Sequence, residues 1–204
     1  MIAVIDYGMG NLRSVENALK KLNAAYMITA DKEQILAADK IILPGVGAFG
    51  DCMRNLRENG LIEVLNTAVL DQKKLFLGIC LGMQVLFESS EEGALTQGLG
   101  YLKGKVVKMQ DTSVKIPHIG WNRLELCGQD VITSLIDDEA YVYYVHSYYA
   151  SEIDEKDLLA YSNYGTMRLC GLIRHENIIG AQFHPEKSGE TGLKILKYFV
   201  EEQI

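Results

Sequence analysis

Residues 75–84, L-F-L-G-I-C-L-G-M-Q, place one cysteine between two glycines at the end of an apolar run. A short run without polar alternation is typical of a strand that is buried on both faces of a parallel sheet. A helix-like pattern follows, so Cys80 falls at a strand-to-helix turn. The G-x-C-x-G spacing is that of a nucleophile elbow, in which a sharp turn presents a side chain at the carboxyl end of a strand. The stretch therefore predicts an α/β fold with a reactive thiol.

The two glycines of this stretch have a predicted steric role. Gly78 and Gly82 would let neighbouring chain segments pass without a clash at Cβ. The N–H of Leu81 would point at a developing oxyanion, and the start of the following helix would favour the thiolate of Cys80. The alternative for Cys80 is a packed structural cysteine, which is our interpretation of Cys52, Cys127 and Cys170.

The first half of the chain alternates strand and helix signals around this elbow. Alternation of this kind predicts a parallel sheet with right-handed crossovers. Pro44-Gly45 is expected to stop the third strand. The predicted strands are residues 2–6, 26–29, 40–43 and 75–79, and the predicted helices are residues 12–22, 52–57 and 61–70.

The second half is rich in closely spaced strand signals and closes with a helix from Gly189 to the C-terminus. Glu176-Asn177 lies where a tight hairpin turn would join two of the strands. We expect these strands to extend one edge of the sheet in antiparallel fashion. The predicted strands are residues 106–109, 141–149, 158–161, 169–174 and 178–183. The whole chain, residues 1–204, is thus predicted to be one three-layer α/β domain with helices on both faces of a mostly parallel sheet.

Composition excludes several classes of function. The net charge is −7 and the pI is about 5.1, which argues against nucleic acid and anionic membranes as partners. No apolar run is long enough to span a membrane, and the first residues lack the features of a signal peptide, so we expect a cytoplasmic protein. Cysteine and histidine spacing predicts no metal site. Gly8-Met9-Gly10 begins like a dinucleotide fingerprint, but Arg13 occupies the third glycine position, so no cofactor is expected.

A cysteine nucleophile needs a base and a group that orients the base. His184-Pro185-Glu186 follows the last predicted strand, and residues two apart in an extended segment point to the same side. This pair is predicted to supply imidazole and carboxylate, with a solvated strand end as the alternative. A second oxyanion donor is expected from the loop Pro44-Gly45-Val46-Gly47, whose alternative is a plain turn.

These segments together resemble the class I (triad) glutamine amidotransferases. The matching residues are G-I-C-L-G-M-Q at 78–84, P-G-V-G at 44–47 and H-P-E at 184–186. The resemblance implies a Cys80–His184–Glu186 triad that hydrolyses the side-chain amide of glutamine through a glutamyl thioester. It also implies an oxyanion hole and a substrate pocket. The oxyanion hole would comprise Val46, Gly47 and Leu81, and the pocket would comprise Gly47, Gln84, Glu92, Ser147 and Tyr148.

Further segments look like one group of this family, the glutaminase subunits of histidine biosynthesis. They are D-Y-G-M-G-N-L at 6–12, P-H-I-G-W-N at 117–122, V-H-S-Y at 145–148 and H-P-E-K-S at 184–188. The resemblance implies a heterodimer with a (βα)₈-barrel cyclase that receives the ammonia. The residues implied at or near the partner-facing surface are Asn11, His118, Trp121, Asn122, Tyr143 and Lys187.

Two alternatives remain at this point. One is a glutaminase subunit that serves anthranilate, aminodeoxychorismate or pyridoxal phosphate synthesis. The other is a protein on the same fold that has a reactive cysteine but no catalysis. The P-H-I-G-W-N segment favours histidine biosynthesis over the first alternative, and the intact H-P-E argues against the second.

Overall fold

A computed structural model describes residues 1–202 of the protein. The strands are β1 Ile2–Ile5, β2 Tyr26–Thr29, β3 Lys40–Gly45, β4 Leu75–Cys80, β5 Phe87–Ser90, β6 Thr96–Gln97, β7 Leu102–Lys108, β8 His118–Arg123, β9 Glu125–Leu126, β10 Tyr141–His146, β11 Tyr148–Ser151, β12 Leu158–Tyr164, β13 Met167–His175 and β14 Ile178–Ala181. The α-helices are α1 Leu12–Lys21, α2 Lys32–Ala37, α3 Phe49–Glu58, α4 Ile62–Asn66, α5 Leu81–Gln84, α6 Val131–Ser134 and α7 Gly189–Glu201. A π-helical turn, Thr67–Asp71, extends α4, and a 3₁₀ turn, Pro185–Lys187, precedes α7.

The central sheet has eight strands in the order β2-β1-β3-β4-β14-β13-β12-β9. The first five are parallel, and β13, β12 and β9 continue the sheet in antiparallel fashion. The predicted α/β class, with a parallel sheet and an antiparallel edge, is therefore confirmed. The hairpin turn at Glu176-Asn177 is also present, since His175 pairs with Ile178 across it.

Alternate side chains of the central strands enter two separate cores, one on each face of the sheet. Val4 and Ile42 pack with the buried faces of α1 and α7, whereas Ile5 and Ile41 pack with α2 and α3. This alternation follows from the two-residue repeat of a strand. It produces the predicted arrangement of helices on both faces and leaves the carboxyl ends of the parallel strands open at one edge.

Two expectations about the strands are wrong. The segment predicted as one strand over residues 141–149 is divided at Ser147 into β10 and β11, which pair with β8 and β7 in two separate small sheets. Strand β3 also runs through Pro44 to Gly45 rather than stopping before them. Its pairing with β1 ends at Ile42, so Pro44 has a sheet neighbour on one side only and its missing N–H leaves no gap in a ladder.

Other boundaries differ by a few residues. The closing helix begins at Gly189 as predicted and ends at Glu201, and the rest of its predicted extension, residues 203–204, lies outside the described residues. Within residues 1–202, no helix is long and apolar enough to cross a membrane.

Candidate active site

The elbow at Cys80 has the strained backbone that its sequence predicts. Cys80 has φ 54° and ψ −109°, a backbone conformation that residues other than glycine rarely adopt. A Cβ on Gly78 would lie 2.6 Å from the carbonyl oxygen of Gly82. A Cβ on Gly82 would overlap the carbonyl oxygen of Leu43 and lie 2.8 Å from its carbonyl carbon. Gly78 therefore allows the elbow to fold back on itself, and Gly82 allows it to pack against strand β3.

The helix after the elbow is shorter than the sequence indicates. Helix α5 is a single turn, Leu81–Gln84, so few aligned peptide dipoles act on the Cys80 sulfur. Neighbouring side chains must therefore supply most of the stabilisation of a thiolate there. The Cys80 Sγ lies 4.0 Å from the carbonyl oxygen of Val145 and 3.8 Å from Nε2 of Gln182.

A cavity of about 300 Å³ opens beside Cys80 at the carboxyl edge of the sheet. It brings together the predicted nucleophile and base with all of the residues implied for the oxyanion hole and the substrate pocket. Besides Cys80 and His184, these residues are Val46, Gly47, Leu81, Gln84, Glu92, Ser147 and Tyr148. Val145 and His146 complete the lining.

The predicted base is held by the predicted carboxylate in a buried pair. Nδ1 of His184 lies 2.9 Å from Oε1 of Glu186, and both side chains are 1% exposed. Because a carboxylate accepts hydrogen bonds, this contact places a proton on Nδ1. Nε2 is then the ring nitrogen that remains for proton transfer. Nε2 has no hydrogen-bond partner among the described residues, and the same holds for Oε2 of Glu186.

Electrostatics favour the imidazolium form of His184. Burial works against the charged ring, but the Cys80 side chain and the Glu186 carboxylate outweigh it and raise the pKa of His184 to about 10. A proton on Nε2 would then face the thiolate of Cys80. The arrangement can hold a thiolate–imidazolium pair and deliver the proton to a leaving group.

The loop after β3 packs directly on the elbow. The hydroxyl of Tyr7 donates to the carbonyl oxygen of Pro44 at 2.9 Å. A Cβ on Gly45 would lie 2.7 Å from the backbone nitrogen of Gly82, so the loop and the elbow approach closely. Gly47 has φ 106°, and Val46 is exposed at the mouth of the cavity. The loop thus brings peptide groups next to the nucleophile, where an oxyanion donor is expected.

Gln84 and Glu92 make contacts within the protein that the sequence does not indicate. Nε2 of Gln84 donates to the carbonyl oxygen of Tyr148 at 2.9 Å and to Oε1 of Gln182 at 3.1 Å. Its amino group is therefore fully used, and only the rest of the side chain is left for a ligand. Oε2 of Glu92 accepts from the N–H of Phe49 at 2.7 Å, which anchors this carboxylate to the start of α3.

The sequence analysis did not identify Gln182 as a site residue. It is fully buried and contacts both Cys80 and Gln84. It stands two residues before His184, as Glu186 stands two residues after it. Strand β14 ends at Ala181, and the chain bends at Gln182 before the Pro185–Lys187 turn, so a strand repeat does not predict the position of Gln182.

His118 lies in strand β8, near the expected partner-facing surface, but is not exposed on it. It is buried between the rings of Tyr144 and Tyr164, at centroid distances of 4.7 and 3.9 Å. The alternation of strand β8 turns it inward, whereas Ile119 and Trp121 are exposed.

The inward-facing histidines form a pair. Nδ1 of His118 lies 3.1 Å from Nε2 of His146, whose Nδ1 lies 2.9 Å from the carbonyl oxygen of Tyr148. A carbonyl only accepts, so His146 carries its proton on Nδ1 and accepts on Nε2. Burial lowers the pKa of His118 to about 4 and that of His146 to about 3. Both rings are thus neutral near pH 7.

The pair predicts an acid-sensitive fold. Below pH 6.5, the unfolded chain binds protons on both rings that the folded protein does not bind until about pH 4 or 3. The free energy of unfolding therefore decreases as the pH is lowered through this window, by up to about 1.4 kcal/mol per pH unit for the deeply buried His146. Urea denaturation at pH 6.0 and 5.0 measures the slope, and we expect His146→Gln to reduce it by about half. Equal slopes in the two proteins would contradict the assignment.

The other residues implied for the partner surface lie on or near a two-stranded ribbon, defined here as β8 and β10. Trp121 is 56% exposed, and its ring meets that of Tyr143 edge to face with centroids 6.0 Å apart. The backbone N–H of Tyr143 donates to Oγ of Ser188 at 2.9 Å, which ties the ribbon to the segment that contains Lys187. Asn122 and Asn11 are half-buried, and helix α1, which Asn11 precedes, packs against the Pro185–Lys187 turn.

Across residues 1–202, no three histidine, cysteine or acidic side chains are arranged to hold a metal ion. The four cysteines are unpaired, and only Cys127 is exposed.

Comparisons with known proteins agree on one family. The family "Glutamine amidotransferase class-I" matches residues 3–203. "Imidazole glycerol phosphate synthase subunit HisH" of Bacillus cereus is 51% identical over 199 residues, which cover 98% of this chain and 93% of the relative. The protein of the same name from Bacillus thuringiensis shows the same identity and coverage.

Solved structures show the same fold at lower sequence identity. A crystal structure of a glutamine amidotransferase superposes with a TM-score of 0.76 at 20% identity and covers 98% of both chains. PurLQS of Thermotoga maritima superposes with a TM-score of 0.71 at 22% identity, covering 97% of this chain and 96% of that one.

Proposed function

The chain belongs to the class I glutamine amidotransferase family, as a glutaminase subunit of imidazole glycerol phosphate synthase, and from that premise we propose that Cys80, His184 and Glu186 hydrolyse glutamine. The observation that carries this assignment is the buried His184–Glu186 pair, at 2.9 Å, on the wall of the cavity that holds Cys80. The proposal treats residues 1–204 as one catalytic domain, since β4 and β14, from the two halves of the chain, are neighbours in one sheet.

The first half-reaction forms a thioester. The Cys80 thiolate attacks the side-chain carbonyl carbon of glutamine, and the carbonyl π electrons move to oxygen. N–H groups of Leu81 and of Val46 or Gly47 stabilise that oxyanion. The tetrahedral intermediate collapses as the C–N bond breaks, and His184 gives its Nε2 proton to the departing ammonia. The products are a glutamyl thioester on Cys80 and free ammonia.

The second half-reaction releases glutamate. His184, now neutral on Nε2, takes a proton from water while the oxygen attacks the thioester carbonyl carbon. Collapse of the second intermediate breaks the C–S bond and restores the thiolate–imidazolium pair. Glu186 holds the ring in place and stabilises its positive charge throughout, as in other triads. Glu92, which lines the cavity and has one carboxylate oxygen bound to the N–H of Phe49, is suited to the α-ammonium group of glutamine.

Labelling with an electrophilic glutamine analogue tests the nucleophile and the substrate together. We expect one adduct, on Cys80, in peptide mass spectrometry, because this thiol alone combines the cavity, His184 and the elbow. Excess glutamine should protect it. Cys127, the exposed thiol, is the internal control. An adduct on Cys127, or labelling that glutamine does not suppress, would disprove the assignment.

The protein pairs with a cyclase subunit, and we propose that this subunit is a (βα)₈ barrel that docks on the exposed face of the ribbon. Large apolar side chains are concentrated on this face, at Ile119, Trp121, Tyr141 and Val145. Contiguous exposed apolar residues commonly mark protein interfaces.

Ammonia would pass to the cyclase, which forms imidazole glycerol phosphate and an aminoimidazole carboxamide ribotide. We place the complex in the cytoplasm, a reducing compartment in which the Cys80 thiol stays available.

Activity is expected to depend on this partner. Glutaminase turnover should be very low for the subunit alone and should rise strongly with the cyclase and its ligand, because the Val46–Gly47 loop, from which an oxyanion donor is expected, is exposed and can be repositioned by a partner. We expect Trp121→Ala to weaken the complex about 30-fold, as for an aromatic anchor worth about 2 kcal/mol. Leu70→Ala, an exposed truncation in the Thr67–Asp71 turn, is the control. High turnover without the partner would refute the dependence.

A further inference from the structure

The orientation of two buried amides can be read from one backbone carbonyl. The carbonyl oxygen of Tyr148 only accepts hydrogen bonds, so the Gln84 side-chain atom 2.9 Å from it must be the amino nitrogen Nε2. The same nitrogen lies 3.1 Å from the Gln182 side chain, whose nearest atom must then be the acceptor Oε1. A reversed Gln182 amide would set one donor against another. The amino group of Gln182 therefore points away from Gln84.

That amino group points at the nucleophile. Nε2 of Gln182 lies 3.8 Å from Sγ of Cys80, within the range of an N–H donor to sulfur. Gln182 is fully buried, so water cannot replace this contact. Gln182 is also absent from the residues that line the cavity within the described chain. It contacts the reacting sulfur from inside the protein and leaves the substrate side free.

We propose that Gln182 is a further catalytic residue, which donates an N–H to the Cys80 sulfur and is oriented by the Tyr148 carbonyl through Gln84. This proposal rests on the function proposed above, in which Cys80 is the nucleophile. The short helix α5 offers little stabilisation for a thiolate, and a donor in the protein interior supplies it next to His184. The same N–H also stabilises the negative charge that forms on the sulfur when the C–S bond of the thioester breaks.

The predicted effects separate this role from a purely structural one. Gln182→Met keeps the approximate volume and removes the donor. We expect the rate of Cys80 alkylation by iodoacetamide at pH 7.5 to fall about tenfold, the loss typical of one hydrogen bond to a charged group. In the complex with the cyclase, kcat for glutaminase should fall by a similar factor. KM should change little, because Gln182 does not line the cavity.

A second variant keeps the proposal testable if Gln182→Met does not fold. Gln84→Met leaves Gln182 in place but removes the group that orients it, so we expect a smaller fall in the alkylation rate. Ser162→Ala is the matched control, since Ser162 is equally buried and hydrogen-bonds to Tyr144 and Arg123 rather than to the site. Its alkylation rate should equal that of the unmodified protein.

Alkylation at Cys80 is followed by peptide mass spectrometry. Each variant is compared, in complex with the cyclase, with unmodified protein that has the same thermal unfolding curve. Unmodified protein that is not labelled at Cys80, or does not turn over glutamine, would overturn the proposed function itself. Normal labelling of the unmodified protein together with unchanged alkylation in folded Gln182→Met would overturn the role of Gln182 alone. If Gln182→Met is unfolded, unchanged alkylation in Gln84→Met does the same.

Discussion

Cys80→Ala will lose glutaminase activity by about a thousandfold or more, because removing a nucleophile removes the covalent pathway altogether. Synthesis from added ammonia should stay intact, since the cyclase needs only the ammonia. The substitution removes one sulfur from a position at the cavity edge, so the fold and the complex should persist. Both activities can be measured on the same purified complex, with glutamine or with an ammonium salt as the nitrogen source.

The matched control for this substitution is Cys127→Ser. Cys127 is exposed on the antiparallel side of the molecule, and its sulfur contacts the carbonyl oxygen of Leu158 at 3.7 Å. We expect normal activity with glutamine and with ammonia. If Cys80→Ala still released ammonia from glutamine at a substantial rate, another group would be the nucleophile and the triad would have to be reassigned.

Gly82→Ala will prevent the elbow from forming and will severely destabilise the protein. The added Cβ would overlap the backbone of Leu43, which cannot move without disturbing the pairing of β3 with β4. Overpacking of a buried site commonly costs about 1–3 kcal/mol, and a clash with backbone should exceed that range. We expect a large fall in the urea midpoint or a failure to recover folded protein.

Gly50→Ala is the control for adding a methyl group to a glycine. Gly50 lies in the first turn of α3, and its nearest neighbour to an added Cβ is Oγ1 of Thr96 at 3.8 Å, an ordinary contact. Alanine also has the higher helix propensity, so stability should be unchanged or rise by about 0.5–1 kcal/mol. A normally stable Gly82→Ala protein would show that the elbow can be rebuilt without close backbone contact.

The parts of the site that the sequence predicted are those governed by local backbone rules. The elbow follows from glycine spacing. His184 and Glu186 pair because they are close in sequence, but Pro185–Lys187 is a 3₁₀ turn rather than the extended segment from which the pairing was predicted. The parallel sheet follows from alternating strand and helix signals. These features need only a few neighbouring residues to be recognised.

The parts that the sequence did not predict depend on pairing between distant segments. The break at Ser147 was not predicted, because aromatic residues resume at once with Tyr148 and the division arises from pairing with β8 and β7. The stacking of His118 between Tyr144 and Tyr164 joins side chains from three separate strands. The contact of Gln182 with Cys80 likewise joins residues that are 102 positions apart.

The ribbon of β8 and β10 is a single layer of peptide with a different neighbour on each side. Trp121 stands on the outer side, where the cyclase is proposed to dock, and His146 on the inner side bonds the Tyr148 carbonyl in the cavity wall. Val145 and His146 of the ribbon are themselves part of the cavity lining. A partner that alters the twist of the ribbon therefore also alters the cavity. If the bound partner changes the affinity for glutamine by some factor, thermodynamic reciprocity requires that bound glutamine change the affinity for the partner by that same factor.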